Sequence, residues 1–205
     1  MSGWTRHTGK AVALDLESVD TDQLITARFM STPRAEGYGR FLLYDLRFDS
    51  EEQPVPDFPL NRVPDASILV ARRNFGSGSS REAAVYALVD FGIRTVIAPS
   101  FGDIFASNAV NNGLLPAQAD EAEIDALIDE LAGGAVHATV KLEHGEIEIG
   151  SRKLAFTLDA AWREKLINGW DDIDLTEQHH PAIARYRDRR AKAQPWAFPA
   201  GQTAG

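Results

Sequence analysis

Asn74-Phe75-Gly76-Ser77-Gly78-Ser79-Ser80-Arg81-Glu82 joins a strand-like apolar run, Ile68-Leu69-Val70-Ala71, to a helix-like one, Ala83-Ala84-Val85-Tyr86-Ala87-Leu88-Val89. Its two glycines let the backbone turn tightly and expose its N–H groups. The helix start that follows adds partial positive charge and free donors. Arg81 brings a fixed cation able to grip a carboxylate through two hydrogen bonds. Three serines carry hydroxyls to the same junction. A strand–loop–helix of this content suits a small anion.

The pattern extends in both directions. Gly92 stops a helix over 80–91, and Thr95-Val96-Ile97-Ala98 reads as a second buried strand. Ser100 is a candidate cap for a helix over 101–111, with Asp103 at the capping-box position. Leu114-Leu115 begins another short strand. Strand–helix–strand–helix–strand predicts parallel pairing. Upstream, Lys10–Leu14 reads as a strand and 17–22 as a polar turn. Residues 31–66 hold five of the ten prolines, at 33, 54, 56, 59 and 64. They read as a long excursion with one helical turn near Phe41–Leu46, of the kind that is functional or packed on a partner.

Downstream, 119–131 reads as an amphipathic helix with a solvated acidic face. Residues 136–142 alternate as a strand, His144-Gly145 turns into 146–150, and 154–158 is a third antiparallel candidate. Helices near 160–168 and 180–192 follow. These elements predict an α/β fold with a mixed central sheet and packed helices, one domain over 1–193. The Pro/Gly/Ala-rich tail 194–205 is expected to be disordered.

Composition narrows the function. The chain has 205 residues, 44% of them hydrophobic, enough for a sizeable core, and a formal net charge of −9. That balance argues against nucleic acid or an anionic membrane as partner. With no cysteine it can form no disulfide, offer no thiol nucleophile and ligate no iron–sulfur cluster, so any such cofactor must sit on another polypeptide. The five histidines show no metal-ligand spacing. No apolar run approaches the roughly 18 residues of a membrane span, and the N-terminus lacks a signal core. A cytoplasmic protein is expected.

The chain resembles the small subunit of the 3-isopropylmalate dehydratases, the detached swivelling β/β/α domain of the aconitase superfamily. The likeness rests on His7-Thr8-Gly9, Val19-Asp20-Thr21-Asp22, Ala66-Ser67-Ile68-Leu69-Val70-Ala71, Asn74-Phe75-Gly76 and Gly78-Ser79-Ser80-Arg81-Glu82. It continues in Val96-Ile97-Ala98-Pro99-Ser100-Phe101, Asp103-Ile104-Phe105, Asn112-Gly113-Leu114-Leu115-Pro116, Asn168-Gly169, Asp172-Ile173, Leu175-Thr176 and Gln178-His179. The resemblance implies a hydro-lyase that works only with a large catalytic subunit, which carries a 4Fe-4S cluster that binds the substrate hydroxyl. It implies isomerisation of isopropylmalate by dehydration and rehydration in leucine biosynthesis. It also implies Ser79 as base, Ser80 as a neighbouring hydrogen-bonder, Arg81 as carboxylate clamp and Asp22 as a builder of the site. The chain departs from the family at Ser77 (usually cysteine), Ala83 (usually histidine), Arg73 (glutamate expected) and Ala27-Arg28-Phe29-Met30 (usually a Pro-Lys stretch).

Other readings stand beside these. Ser79-x-x-Glu82 is also a capping box. Asp20 and Asp22 are also residues that bond their own turn. The loop lacks the third glycine of a dinucleotide fingerprint and the Gly-Lys-Ser/Thr of a P-loop, which disfavours a nucleotide. Substrate choice is expected in the loop Thr26–Gly39, where Phe29 and Met30 suit an apolar group and Arg28 and Arg34 an anion; the apolar reading is preferred. A paralogous hydratase for another hydroxy di- or tricarboxylate, or a docking subunit without catalytic residues, are the alternatives.

Overall fold

The computed structural model describes residues 2–79 and 81–198. Its strands are β1 (Arg6–Leu14), β2 (Ala66–Ala71), β3 (Thr95–Ala98), β4 (Leu115–Gln118), β5 (Val136–Lys141), β6 (Glu146–Ile149) and β7 (Arg152–Ala155). They form one sheet in the order β4-β3-β2-β1-β5-β6-β7. The β4-β3-β2-β1 half is parallel. The β1-β5-β6-β7 half is antiparallel. β1 is the seam, and the mixed α/β architecture read from the sequence is the one observed.

The helices are α1 (Thr21–Leu24), α2 (Tyr44–Arg47), α3 (Pro59–Arg62), α4 (Glu82–Phe91), α5 (Asp103–Asn111), α6 (Glu121–Leu131), α7 (Ala160–Asn168), α8 (Asp172–Glu177) and α9 (His180–Ala193). The parallel strands are buried on both faces, which is why they read as continuous apolar runs. Leu69 and Ala71 join one core with Leu14, Leu24, Val85 and Leu88. Ile68 and Val70 join the other with Ile124, Leu127, Ile147 and Leu166.

Three readings need correction. Residues 31–66 are no unstructured excursion. They hold 3₁₀ turns at Arg34–Glu36 and Gly39–Phe41 besides α2 and α3, and Leu42, Leu43 and Leu60 are fully buried. The Arg47 guanidinium donates to the Leu42 carbonyl (3.2 Å) and Asn61 Oδ1 (3.0 Å), while Asn61 Nδ2 donates to the Arg47 and Val55 carbonyls. Side chains thus satisfy backbone groups that regular structure leaves bare. Second, Ser100 does not cap α5. Gly102 takes the cap position, and Ser100 Oγ accepts instead from the Asn74 N–H at 2.9 Å. Third, β7 lies two to three residues earlier than the apolar run 154–158.

The described residues fall into two compact units that divide between Trp170 and Asp171; the sequence reading drew one domain over 1–193. In the second unit α8 opens with a capping box between Asp171 and Asp174, and α9 begins after His179 with Pro181 in its first turn. Pro195–Ala197 form a 3₁₀ turn inside the segment expected to be disordered; 199–205 lie outside the described residues.

Candidate active site

Beyond the ends of β1, β2 and β3, three loops continue side by side in the order of their strands. The central one is the Gly/Ser loop. On one side Gly76 N–H donates to the Val19 carbonyl (2.7 Å) and Thr21 N–H to the Ser77 carbonyl (3.0 Å), with a parallel bridge between Asp20 and Ser77. On the other, Phe75 N–H donates to the Ser100 carbonyl and Gly102 N–H to the Phe75 carbonyl. The loop therefore has strand-like support at both edges, at the carboxyl ends of parallel strands, where α/β folds place ligands.

Glycine is required at two points. Gly76 sits at φ +72, and a Cβ there would collide with the Phe105 ring. Gly102 approaches so closely that a Cβ would lie 2.6 Å from the Gly76 carbonyl oxygen. Residues 76–79 and 102–105 enclose a hollow of about 210 Å³. Ile104, 55% exposed, and Asp103 stand on its α5 side. A larger apolar hollow of about 460 Å³ lies between the end of β1, α3 and α6, and no residue of the Gly/Ser loop lines it.

Ser79 does not cap α4. Arg81 occupies the cap position without a side-chain hydrogen bond to the helix. The capping-box reading of Ser79 and Glu82 therefore fails: Glu82 Oε1 accepts from Asn112 Nδ2 at 3.0 Å, and exposed Ser79 lies against Thr21. Thr21 Oγ1 is 2.9 Å from the Ser79 carbonyl oxygen and 3.2 Å from Ser79 Oγ. Arg81, a quarter exposed, forms an ion pair with Asp22 on α1. Asp20 behaves as a cap, accepting from Gln23 N–H at 2.7 Å. Ser79, Arg81 and Asp22 thus come together; Ser80 lies outside the described residues.

Arg34 is engaged otherwise. Arg34 holds Asp90 through both terminal guanidinium nitrogens, at 2.6 and 2.9 Å, and lies over the Tyr86 ring at 4.3 Å. Burial, with a hydrogen bond to Glu82, pushes the Tyr86 phenol up from its ordinary value. Arg28 pairs with Asp45, and that guanidinium, with Thr26, holds the Asp45 carboxyl below its ordinary value. Phe29 stacks on Phe41, and Met30 is 40% exposed. Among the departures, Ala83 is buried in the first turn of α4, and Arg73 pairs with Glu17 at 3.2 Å.

Residues 1–122 match the aconitase C-terminal domain family. Among curated relatives, the 3-isopropylmalate dehydratase small subunit of Shewanella amazonensis is 45% identical, covering 92% of this chain and 97% of that one. The protein of the same name from Shewanella baltica is 46% identical over 91% and 96%. The chain belongs to the 3-isopropylmalate dehydratase small-subunit family. A crystal structure of a 3-isopropylmalate dehydratase from Methanocaldococcus jannaschii superposes with a TM-score of 0.66 at 25% identity, covering 88% of this chain and 99% of that one. Membership makes this chain the small subunit of an aconitase-family hydro-lyase with a large-subunit partner.

Thr21 and the wall 102–105 were not picked out as site residues by the sequence, although both lie in stretches that carry the family likeness. Among the described residues no cluster of three or more His, Asp or Glu side chains could hold a metal ion, and no helix is long and apolar enough to cross a membrane.

Proposed function

We propose that this chain, docked on its large subunit, catalyses the interconversion of 2- and 3-isopropylmalate by dehydration and rehydration, with Ser79 as base and Arg81 as carboxylate clamp. The observation that carries the reading is that Ser79, which lines the Gly/Ser hollow, stands against α1 through Thr21, where Arg81 pairs with Asp22. In dehydration the Ser79 alkoxide takes the proton from the carbon beside a carboxylate. The C–H electron pair moves into that carboxylate, giving an enolate-like dianion. Hydroxide then leaves the neighbouring carbon and the double bond forms. Rehydration adds hydroxide at the carbon that lost the proton and returns the Ser79 proton to the carbon that lost the hydroxyl, which also restores the alkoxide. Arg81 and the start of α4 stabilise the dianion where its charge develops. The same positive groups favour the alkoxide of a hydroxyl that is a poor base in water.

This chain cannot hold the 4Fe-4S cluster of the family, having no cysteine; the cluster belongs on the large subunit, where it supplies a Lewis acid for the substrate hydroxyl. Ser80 as a neighbouring hydrogen-bonder, Asp22 at the far side of Arg81, Met30 as a selector of substrate, and a cytoplasmic location complete the proposal; Arg34, held by Asp90, is left out of it. The test is turnover of isopropylmalate by the reconstituted two-subunit complex. Ser79→Ala lowers kcat by about 10²–10⁴-fold without changing the melting temperature, because Ser79 caps no helix. A wild-type complex inactive on isopropylmalate but active on another hydroxy acid would move the substrate; an active Ser79→Ala complex would remove the base.

A further inference from the structure

We propose that Thr21 is a positioning residue for Ser79: it orients the resting hydroxyl and donates a hydrogen bond to that oxygen once the proton is gone. The inference rests on the reading of Ser79 as base.

Thr21 is 1% exposed and opens α1. Its backbone N–H is spent on the Ser77 carbonyl at 3.0 Å, which fixes the residue against the loop independently of its hydroxyl. That hydroxyl has two neighbours, the Ser79 carbonyl oxygen at 2.9 Å and Ser79 Oγ at 3.2 Å. A carbonyl oxygen only accepts, so Thr21 must donate to it, and a hydroxyl has one proton to give. At the second contact Ser79 is therefore the donor and Thr21 the acceptor. The Ser79 proton points inward at Thr21, and its lone pairs face away from α1.

Deprotonation of Ser79 reverses that contact. The alkoxide has no proton to give, and the Thr21 hydroxyl can turn from the carbonyl to the alkoxide, both within 3.2 Å. The carbonyl it leaves is not stripped of partners, since it also accepts from Arg81 N–H at 2.8 Å. The exchange thus creates no unsatisfied acceptor, the cost that otherwise opposes such a switch. A hydrogen bond to the charged form favours that form, so the hydroxyl of Thr21, rather than its bulk, is the feature that matters.

The experiment compares Thr21→Val, Thr21→Ser and Ser79→Ala in the reconstituted two-subunit complex, reading kcat, KM, melting temperature and subunit association. Valine keeps the shape and removes the hydroxyl. Thr21→Val is expected to lower kcat about 10- to 100-fold, the loss of one hydrogen bond to a charged oxygen, with KM nearly unchanged. Thr21→Ser is expected to restore kcat to within a few-fold of wild type. If the valine variant does not assemble, Thr21→Ala against Thr21→Ser carries the same comparison, serine active and alanine slow. Wild-type kcat in Thr21→Val beside an inactive Ser79→Ala would overturn the role of Thr21 and leave the base standing. Equal kcat in the alanine and serine variants would do the same. Full activity in Ser79→Ala would overturn the base and this inference with it.

Discussion

Arg34 and Arg81 both hold carboxylates, and they differ in what the carboxylate is attached to. Asp90, the partner of Arg34, also accepts from the Tyr38 N–H at 2.7 Å, so this pair pins the 26–39 loop to α4. Asp22, the partner of Arg81, is 54% exposed and belongs to the short α1, and in the proposed function a substrate carboxylate takes its place on the guanidinium. Opposite outcomes follow for the two arginines. Arg34→Ala costs about 1 kcal/mol of stability, the upper end for a pair still partly open to solvent, and leaves the preference between isopropylmalate and citrate-like substrates within a few-fold of wild type. Arg81→Lys raises KM and lowers kcat together, because an ammonium cannot reproduce the two-pronged hold. Steady-state kinetics of both complexes, with denaturant titration of the Arg34 variant, check this. A large change in substrate preference in Arg34→Ala would return that residue to the specificity site proposed from the sequence.

At the level of elements, the Gly/Ser loop is held by packing and backbone bonds rather than by caps. Gly76 needs a positive φ and lies against the Phe105 ring. Gly76→Ala is expected to destabilise the fold by about 2–4 kcal/mol, combining left-handed strain with overpacking, and to weaken activity by displacing Ser79. Thermal melting checks the first part, and a variant as stable as wild type would refute it. The same region explains what was readable in the sequence. β2, β3 and α4 announced themselves because long apolar runs bounded by Gly92 and the Gly/Ser loop admit few other readings. α1, α2 and α3, of four residues each, are too short to show a period and owe their existence to tertiary contacts. Ser79 looked equally like a cap and like a base, since the two share one spacing. The structure removes the cap, with Arg81 in that position and Ser79 against Thr21, 58 residues away in sequence, a contact that no local pattern encodes. The pairing of Arg34 with Asp90, 56 residues apart, was hidden for the same reason.

At the scale of the whole molecule, the proposed function gives the chain half of a site. It offers a hydroxyl, a guanidinium and backbone donors, but no cysteine to hold a cluster. Purified alone, it is expected to be colourless and inactive on isopropylmalate, and to gain activity when mixed with its large subunit. Iron analysis and visible absorption check this; a stoichiometric cluster in the isolated chain would contradict the division of labour. The family likeness was legible because its matches run in order from His7 to His179, across the boundary at 170, which no feature of the sequence marked. The pair between Asp22 and Arg81 has a further consequence for how the lone chain meets ligands. Asp22 acts as a tethered competitor, present at an effective concentration on the order of millimolar whenever a free carboxylate approaches Arg81. Weak metabolite acids in solution must outcompete it, so the unassembled subunit is buffered against occupation by the wrong anion. Binding becomes worthwhile only for a ligand that gains further contacts elsewhere, which is what the proposed function assigns to the large subunit.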